Sequence, residues 1–164
     1  MTESFGEMLK NKLIESQMLT ADRFCGCTDE EIDSIVKAQK VEHLPKVFRE
    51  YLETMGKGGL GSIAFIGSHW GCPRLLHLKN ELISEIEDFE YDFALQEDAF
   101  VFFCHGGAEY HYFLTAEEDN DPPVFLYMSE STEAEQINER LSEYFLGFFN
   151  AYKRIFDKAR KSKD

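Results

Sequence analysis

AFVFFCHGGAEYHYFL, residues 99–114, is the stretch that decides the fold. Its first half, Ala99 to His105, is a nearly continuous apolar run, the pattern of a strand covered on both faces. Gly106-Gly107 then offers a tight turn, because glycine enters the positive-φ region without steric cost. Glu109 to Leu114 reads as the returning strand, with Tyr110, Tyr112 and Leu114 on one face and Glu109, His111 and Phe113 on the other.

Downstream of the hairpin, the acidic loop Glu117 to Asp121 leads into Pro122-Pro123 and a third strand, Val124 to Tyr127. Prolines donate no ladder hydrogen bond, so they belong at the beginning or edge of a strand. A last long helix is predicted to open near Ser131 or Thr132 and to carry Ile137, Leu141, Tyr144, Phe145, Phe148, Phe149 and Tyr152.

Upstream the period is helical. Phe5, Met8, Leu9 and Leu13 trace a stripe that ends near Gln17, and Leu19 to Cys27 reads as an irregular connection. Thr28 followed by Glu31 is a capping box, with Ile32, Ile35 and Val36 as the buried stripe of a second helix. A third opens at Pro45, buries Val47, Phe48, Tyr51, Leu52 and Met55, and stops at Gly56. Gly56, Gly58, Gly59 and Gly61 suggest a turn before a short strand through Ile63, Phe65 and Ile66, and a fourth helix is predicted from Pro73 through Ile86. Helices, then a strand meander, then a helix make an α+β fold around a mostly antiparallel sheet.

Composition narrows the function. Residues 1–152 hold 29 acids against 11 bases, a net of −18, whereas residues 153–164 hold 6 bases and 2 acids, a net of +4. A field of that sign repels nucleic acid and anionic membranes and accelerates encounter with basic partners. Met1 to Gln17 carries Glu3, Glu7 and Glu15 where an export signal needs apolar residues. A cytoplasmic protein with reduced Cys25, Cys27, Cys72 and Cys104 is therefore expected.

The reactive side chains match known site patterns poorly. Cys25-x-Cys27 with Cys72, Cys104 and His105 lacks the paired knuckles of a structural zinc site. Cys104 and His105 are strand neighbours on opposite faces, so they make a poor nucleophile and base, and neither His69 nor His77 brings Cys72 an orienting partner. Glu117, Glu118, Asp119 and Asp121 lack the glycine and the terminal glutamate of a calcium loop. Lys57 sits between glycines and not in a phosphate-binding loop. Tyr110, Tyr112 and Trp70 lack the basic groove that nucleic-acid stacking needs. No cofactor, metal or catalytic residue is expected.

Several of these elements occur in an order and spacing that resembles the SUKH superfamily of Smi/Knr-type domains. They are the Thr28-x-x-Glu31-Ile32 helix start, Leu44-Pro45 leading to Phe48, Arg49, Tyr51 and Leu52, and the glycines that follow. Others are the strand Phe100 to Phe103 before a glycine turn, Tyr112-Phe113, and Asp121-Pro122-Pro123-Val124. The likeness covers residues 26–152, leaving 1–25 as an N-terminal helical extension and 153–164 as a basic helix end or tail. It implies a single α+β domain and, in bacteria, an immunity protein that neutralises a cognate toxin, often a nuclease; the alternative is an intracellular regulatory or scaffold module. Candidate contacts for a basic toxin are Trp70, Tyr110, Glu117, Glu118, Asp119 and Asp121. The oligomeric state stays open.

Overall fold

The computed structural model describes residues 2–60 and 71–163, together with the backbone of 68–69. The strand expected through Ile63, Phe65 and Ile66 lies outside these residues, as does Trp70. Among the described residues, five strands form one antiparallel sheet in the order β1-β2-β3-β4-β5: Ser68–His69, Ala99–His105, Glu109–Leu114, Val124–Met128 and Glu135–Asn138. Five α-helices among the same residues accompany it: α1 (Phe5–Glu15), α2 (Asp29–Gln39), α3 (Lys46–Met55), α4 (Leu78–Asp88) and α5 (Leu141–Lys161). The protein is a single α+β domain.

The β2–β3 hairpin forms as its sequence dictates, with Gly106 and Gly107 at φ +61° and +70° and Phe100 opposite Phe113. A bulge between Val101 and Phe103 breaks the strict alternation. It lets neighbouring residues reach the same helix: Phe102 meets Tyr144 of α5 edge-on at 5.2 Å between centroids, and Phe103 meets Phe148 at 6.0 Å. On that side Phe48 of α3 touches Phe100, Phe102 and Phe113 edge-on at 5.1–5.7 Å, and Tyr51 stacks on Phe145 at 4.6 Å. All six rings are fully buried, and each edge-to-face pair adds about 0.5–1.5 kcal/mol beyond its area burial.

The N-terminal helix is no appendage. Leu9 and Leu13 are completely buried. Gly6 lies so close to α3 that a Cβ there would stand 2.3 Å from the Glu50 carbonyl oxygen. Thr28 and Glu31 close the predicted capping box, with N···O distances of 2.8 and 3.2 Å.

Two helix boundaries differ from expectation. The chain from Pro73 first makes a short 3-10 turn, Arg74–Leu76, and α4 begins only at Leu78. The last helix begins at Leu141 and not at Ser131 or Thr132, because Glu135–Asn138 pairs with β4 instead. Asp121 supplies the start signal in place of Ser131 or Thr132, its carboxylate accepting from the Ser142 amide at 2.8 Å and the Ser142 hydroxyl at 2.5 Å.

Two polar clusters sit inside the apolar framework. Gln39, fully buried at the end of α2, donates its amide to the carbonyls of Leu75 (2.7 Å) and Val101 (2.8 Å) and accepts from the Val101 N–H (3.1 Å). The buried Lys79 ammonium donates to the Gln39 and Glu97 carbonyls, both at 2.7 Å. On the opposite face of the sheet, His111 lies 2.7 Å from both Glu109 and Tyr144. A carboxylate can only accept, so Nε2 carries the proton toward Glu109 and Nδ1 accepts from the Tyr144 hydroxyl. Burial holds the His111 pKa below the usual histidine value, although Glu109 opposes the shift.

Phe48→Ala should cost about 3–5 kcal/mol in urea unfolding, as truncation of a core aromatic does; a loss under about 0.5 kcal/mol would contradict the packing around it. Gln39→Leu keeps the volume but orphans two carbonyls and one amide, so a loss of at least about 2 kcal/mol is expected by the same measurement. His111 sets a pH dependence. The unfolded chain takes up its proton as pH falls through about 6.5, while the folded protein resists until its lower pKa is reached. Stability should therefore drop below pH ~6.5, at up to about 1.4 kcal/mol per pH unit for this group. A His111→Gln variant, less stable at neutral pH, should show a shallower slope in that window; an unchanged slope would show that His111 does not titrate there.

Candidate functional site

The β3–β4 connection is polar in composition but fixed in conformation. Asp98, just before β2, pins its first residues: the carboxylate accepts from the amides of Thr115 (3.0 Å) and Ala116 (2.8 Å), and the Thr115 hydroxyl donates to the Asp98 carbonyl (2.9 Å). Farther along, the Asp119 carboxylate accepts from the Asp121 amide at 2.9 Å, and the Asn120 carbonyl accepts from Val47 at 3.1 Å, satisfying a free amide of the first turn of α3. The loop is thus bound to β2, α3 and α5 at separate points.

This anchoring presents the carboxylates of Glu117, Glu118 and Asp119 to solvent. None of the ion pairs among the described residues involves them. Beside them runs a groove of about 330 Å³, floored by Leu114, Pro122, Pro123 and Phe125 and edged by Asp98, Glu117 and Asp119. An adjoining depression of about 360 Å³ shares Asp98 and Ala116 and adds Glu42 and Glu97, with Lys40 as its base. The combined surface has an apolar floor and an acidic margin, suited to the long apolar stem and cationic head of a lysine or arginine.

The sequence-derived contact residues separate into three groups. Glu117, Glu118 and Asp119 share the exposed loop. Tyr110 does not join them: it is 3% exposed, on the side of the sheet facing α4, and its hydroxyl donates to Glu85 at 2.7 Å. Burial pushes its phenol well above the ordinary value. A tyrosine whose hydroxyl finds a carboxylate inside the protein is a core residue and no anchor for a partner. Asp121 is likewise withdrawn, because its carboxylate caps α5. Trp70 lies outside the described residues.

No local signal joins Glu42, Glu97 and Asp98 to the loop, because they come from the α2–α3 and α4–β2 connections. The Asp98 carboxylate meets residues 17 and 18 positions away, and only strand pairing brings them together. A second acidic region lies at the end of α4, where Phe89, 67% exposed, stacks on Tyr91 at 5.6 Å among Glu87, Asp88 and Glu90.

The cysteines do not assemble as a metal centre. Cys27 and Cys72 both lie against Gly56, Cys25 is exposed, and Cys104 is buried beside Tyr110 and Arg74. Among the described residues, no group of three or more histidine, cysteine, aspartate or glutamate side chains is placed to hold a metal ion. His111 engages Glu109 and Tyr144 and not a thiol. No helix among the described residues is long and apolar enough to cross a membrane.

No curated protein matches the chain. The family model for SMI1 / KNR4 (SUKH-1) matches residues 26–147, from the residues ahead of the α2 capping box through the first turns of α5. That span contains the whole described sheet, Gln39 and Lys79, and the acidic loop with its groove, and it leaves out α1 and the basic end of α5. The chain therefore belongs to the SMI1 / KNR4 family (SUKH-1).

Proposed function

We propose that this protein is an immunity factor that captures a basic toxin domain, possessing no catalysis of its own, and that it acts in the cytoplasm. The observation that carries the reading is the groove of Leu114, Pro122, Pro123 and Phe125 edged by Asp98, Glu117 and Asp119. Its apolar floor supplies area to bury, and its margin supplies charges that a cationic surface complements. Family membership supports a binding domain, and the net of −18 on residues 1–152 supports a basic partner, as a nuclease surface would be. The same charge disfavours nucleic acid and anionic lipid as ligands.

Charge and contact should separate kinetically. Carboxylates at an exposed margin steer the encounter and so act on the association rate, whereas the desolvated floor governs how long the complex lasts. A regulatory module of the same family would use this surface for an endogenous partner, and gene context distinguishes the two readings: a toxin gene directly adjacent favours immunity.

The deciding experiment is co-expression with the toxin encoded beside this gene, followed by surface-plasmon measurement of the purified pair. Growth should be rescued. The triple variant Glu117→Gln, Glu118→Gln, Asp119→Asn should slow association about ten-fold or more at low salt, change dissociation less than about two-fold, and lose its difference from wild type as salt rises. Amide replacements at Glu87, Asp88 and Glu90 remove the same formal charge elsewhere, so an equal slowing by that variant would indicate a general field and not a local site. Asp121→Ala should instead cost about 1–2 kcal/mol of stability through the lost helix cap. Failure to rescue growth, with no complex at micromolar concentration, would overturn the immunity reading.

A further inference from the structure

Cys27 and Cys72 are 45 positions apart, yet the end of α3 holds both. The Cys27 amide donates to Leu52 at 2.8 Å at the end of α3, and the Cys72 amide donates to the Gly56 carbonyl at 3.0 Å. A Cβ at Gly56 would stand 2.4 Å from the Cys27 sulfur, so the thiol occupies the space that glycine leaves open. Both cysteines thus lie against Gly56, with Cys27 buried and Cys72 half-buried, and the Cys72 thiol is near enough to raise the Cys27 pKa. We propose that Cys27 and Cys72 form a reversible dithiol–disulfide site, closed by exchange with a small-molecule disulfide such as oxidised glutathione.

The order of steps follows from accessibility. The Cys72 thiolate attacks one sulfur of oxidised glutathione, and the first glutathione leaves as a thiolate that takes up the proton lost by Cys72. Cys27 then loses its proton and attacks the Cys72 sulfur, releasing the second glutathione. Two protein thiols are oxidised to one disulfide, and one oxidised glutathione is reduced to two thiols. Burial, aided by the neighbouring thiol, pushes Cys27 up to about 12, against the pull of the Lys57 ammonium. Its attack is therefore the slow step, and closure should quicken as pH rises. Exposed Cys25 is the competing thiol, and it must not be part of the product.

The test is incubation of the folded full chain with oxidised glutathione, alkylation of remaining thiols, and peptide mapping by mass spectrometry without reduction. Wild type and Cys25→Ser should both yield peptides joined through Cys27 and Cys72, separable again by dithiothreitol, with more bridge per unit time at pH 8.5 than at pH 7. Cys27→Ser should stop at a glutathione adduct on Cys72, and Cys72→Ser should form no bridge at Cys27. A persistent adduct on Cys72 in the wild type, a bridge through Cys25, or unmodified Cys27 and Cys72 in protein shown by circular dichroism to be folded would each overturn the proposal.

Discussion

The fold depends on how the outer edge of β2 is satisfied. This strand must expose backbone groups on the side away from β3, and among the described residues β1 covers only His105 and Cys104. Val101 therefore turns to a side chain, and the carboxamide of Gln39 bonds its N–H and C=O together, as a neighbouring strand would. Gln39 can do this only from the last residue of α2, where its own carbonyl lacks a helical partner, and Lys79 fills that need from α4. One buried amide thus fixes α2, the turn before α4 and the central hairpin relative to one another. Burial lowers the Lys79 pKa, a cost set against hydrogen bonds to two carbonyls.

The hairpin then divides the remaining work between its faces. Phe100, Phe102 and Phe113 gather Phe48 and Phe145 into a ring cluster that locks α3 and α5 to the sheet. The other face carries Tyr110 toward Glu85 of α4 and stacks Tyr112 on Phe125 of β4. Phe125 links this face to the groove, because it also lies on the groove floor beside Leu114. A change in the packing of Tyr112 would thus be felt in the groove without any alteration of its margin.

Local signals were legible in the sequence and tertiary ones were not. The Thr28–Glu31 box, the Gly106-Gly107 turn and the period of two through Tyr110 and Tyr112 depend on neighbours within a few residues, and each forms as read. The start of α5 is not legible locally, because its cap is Asp121, about twenty residues upstream, while the residues that resemble a start lie ahead of an edge strand. The same distance hid the roles of Asp98, whose partners follow the hairpin, and of Gln39, which reads as one more polar residue at a helix end. The burial of Tyr110 is hidden for a related reason: an aromatic strand position says which face it takes but not whether a helix such as α4 covers that face.

The acidic loop shows why counting charges does not locate a site. Of the carboxylates that meet there, Asp98 holds Thr115 and Ala116 in place, and Asp121 caps α5. Asp119 has one oxygen on the Asp121 amide, while Glu117 and Glu118 project from the frame these bonds create. A carboxylate accepting backbone hydrogen bonds has part of its charge already answered and gains less from a new cation than one facing water. In the proposed capture of a basic partner, recognition would therefore be graded along the chain, strongest where the loop asks nothing of its acids. The structural acids contribute by removing freedom from their neighbours, so that the proposed partner would meet a fixed margin and spend less entropy ordering it.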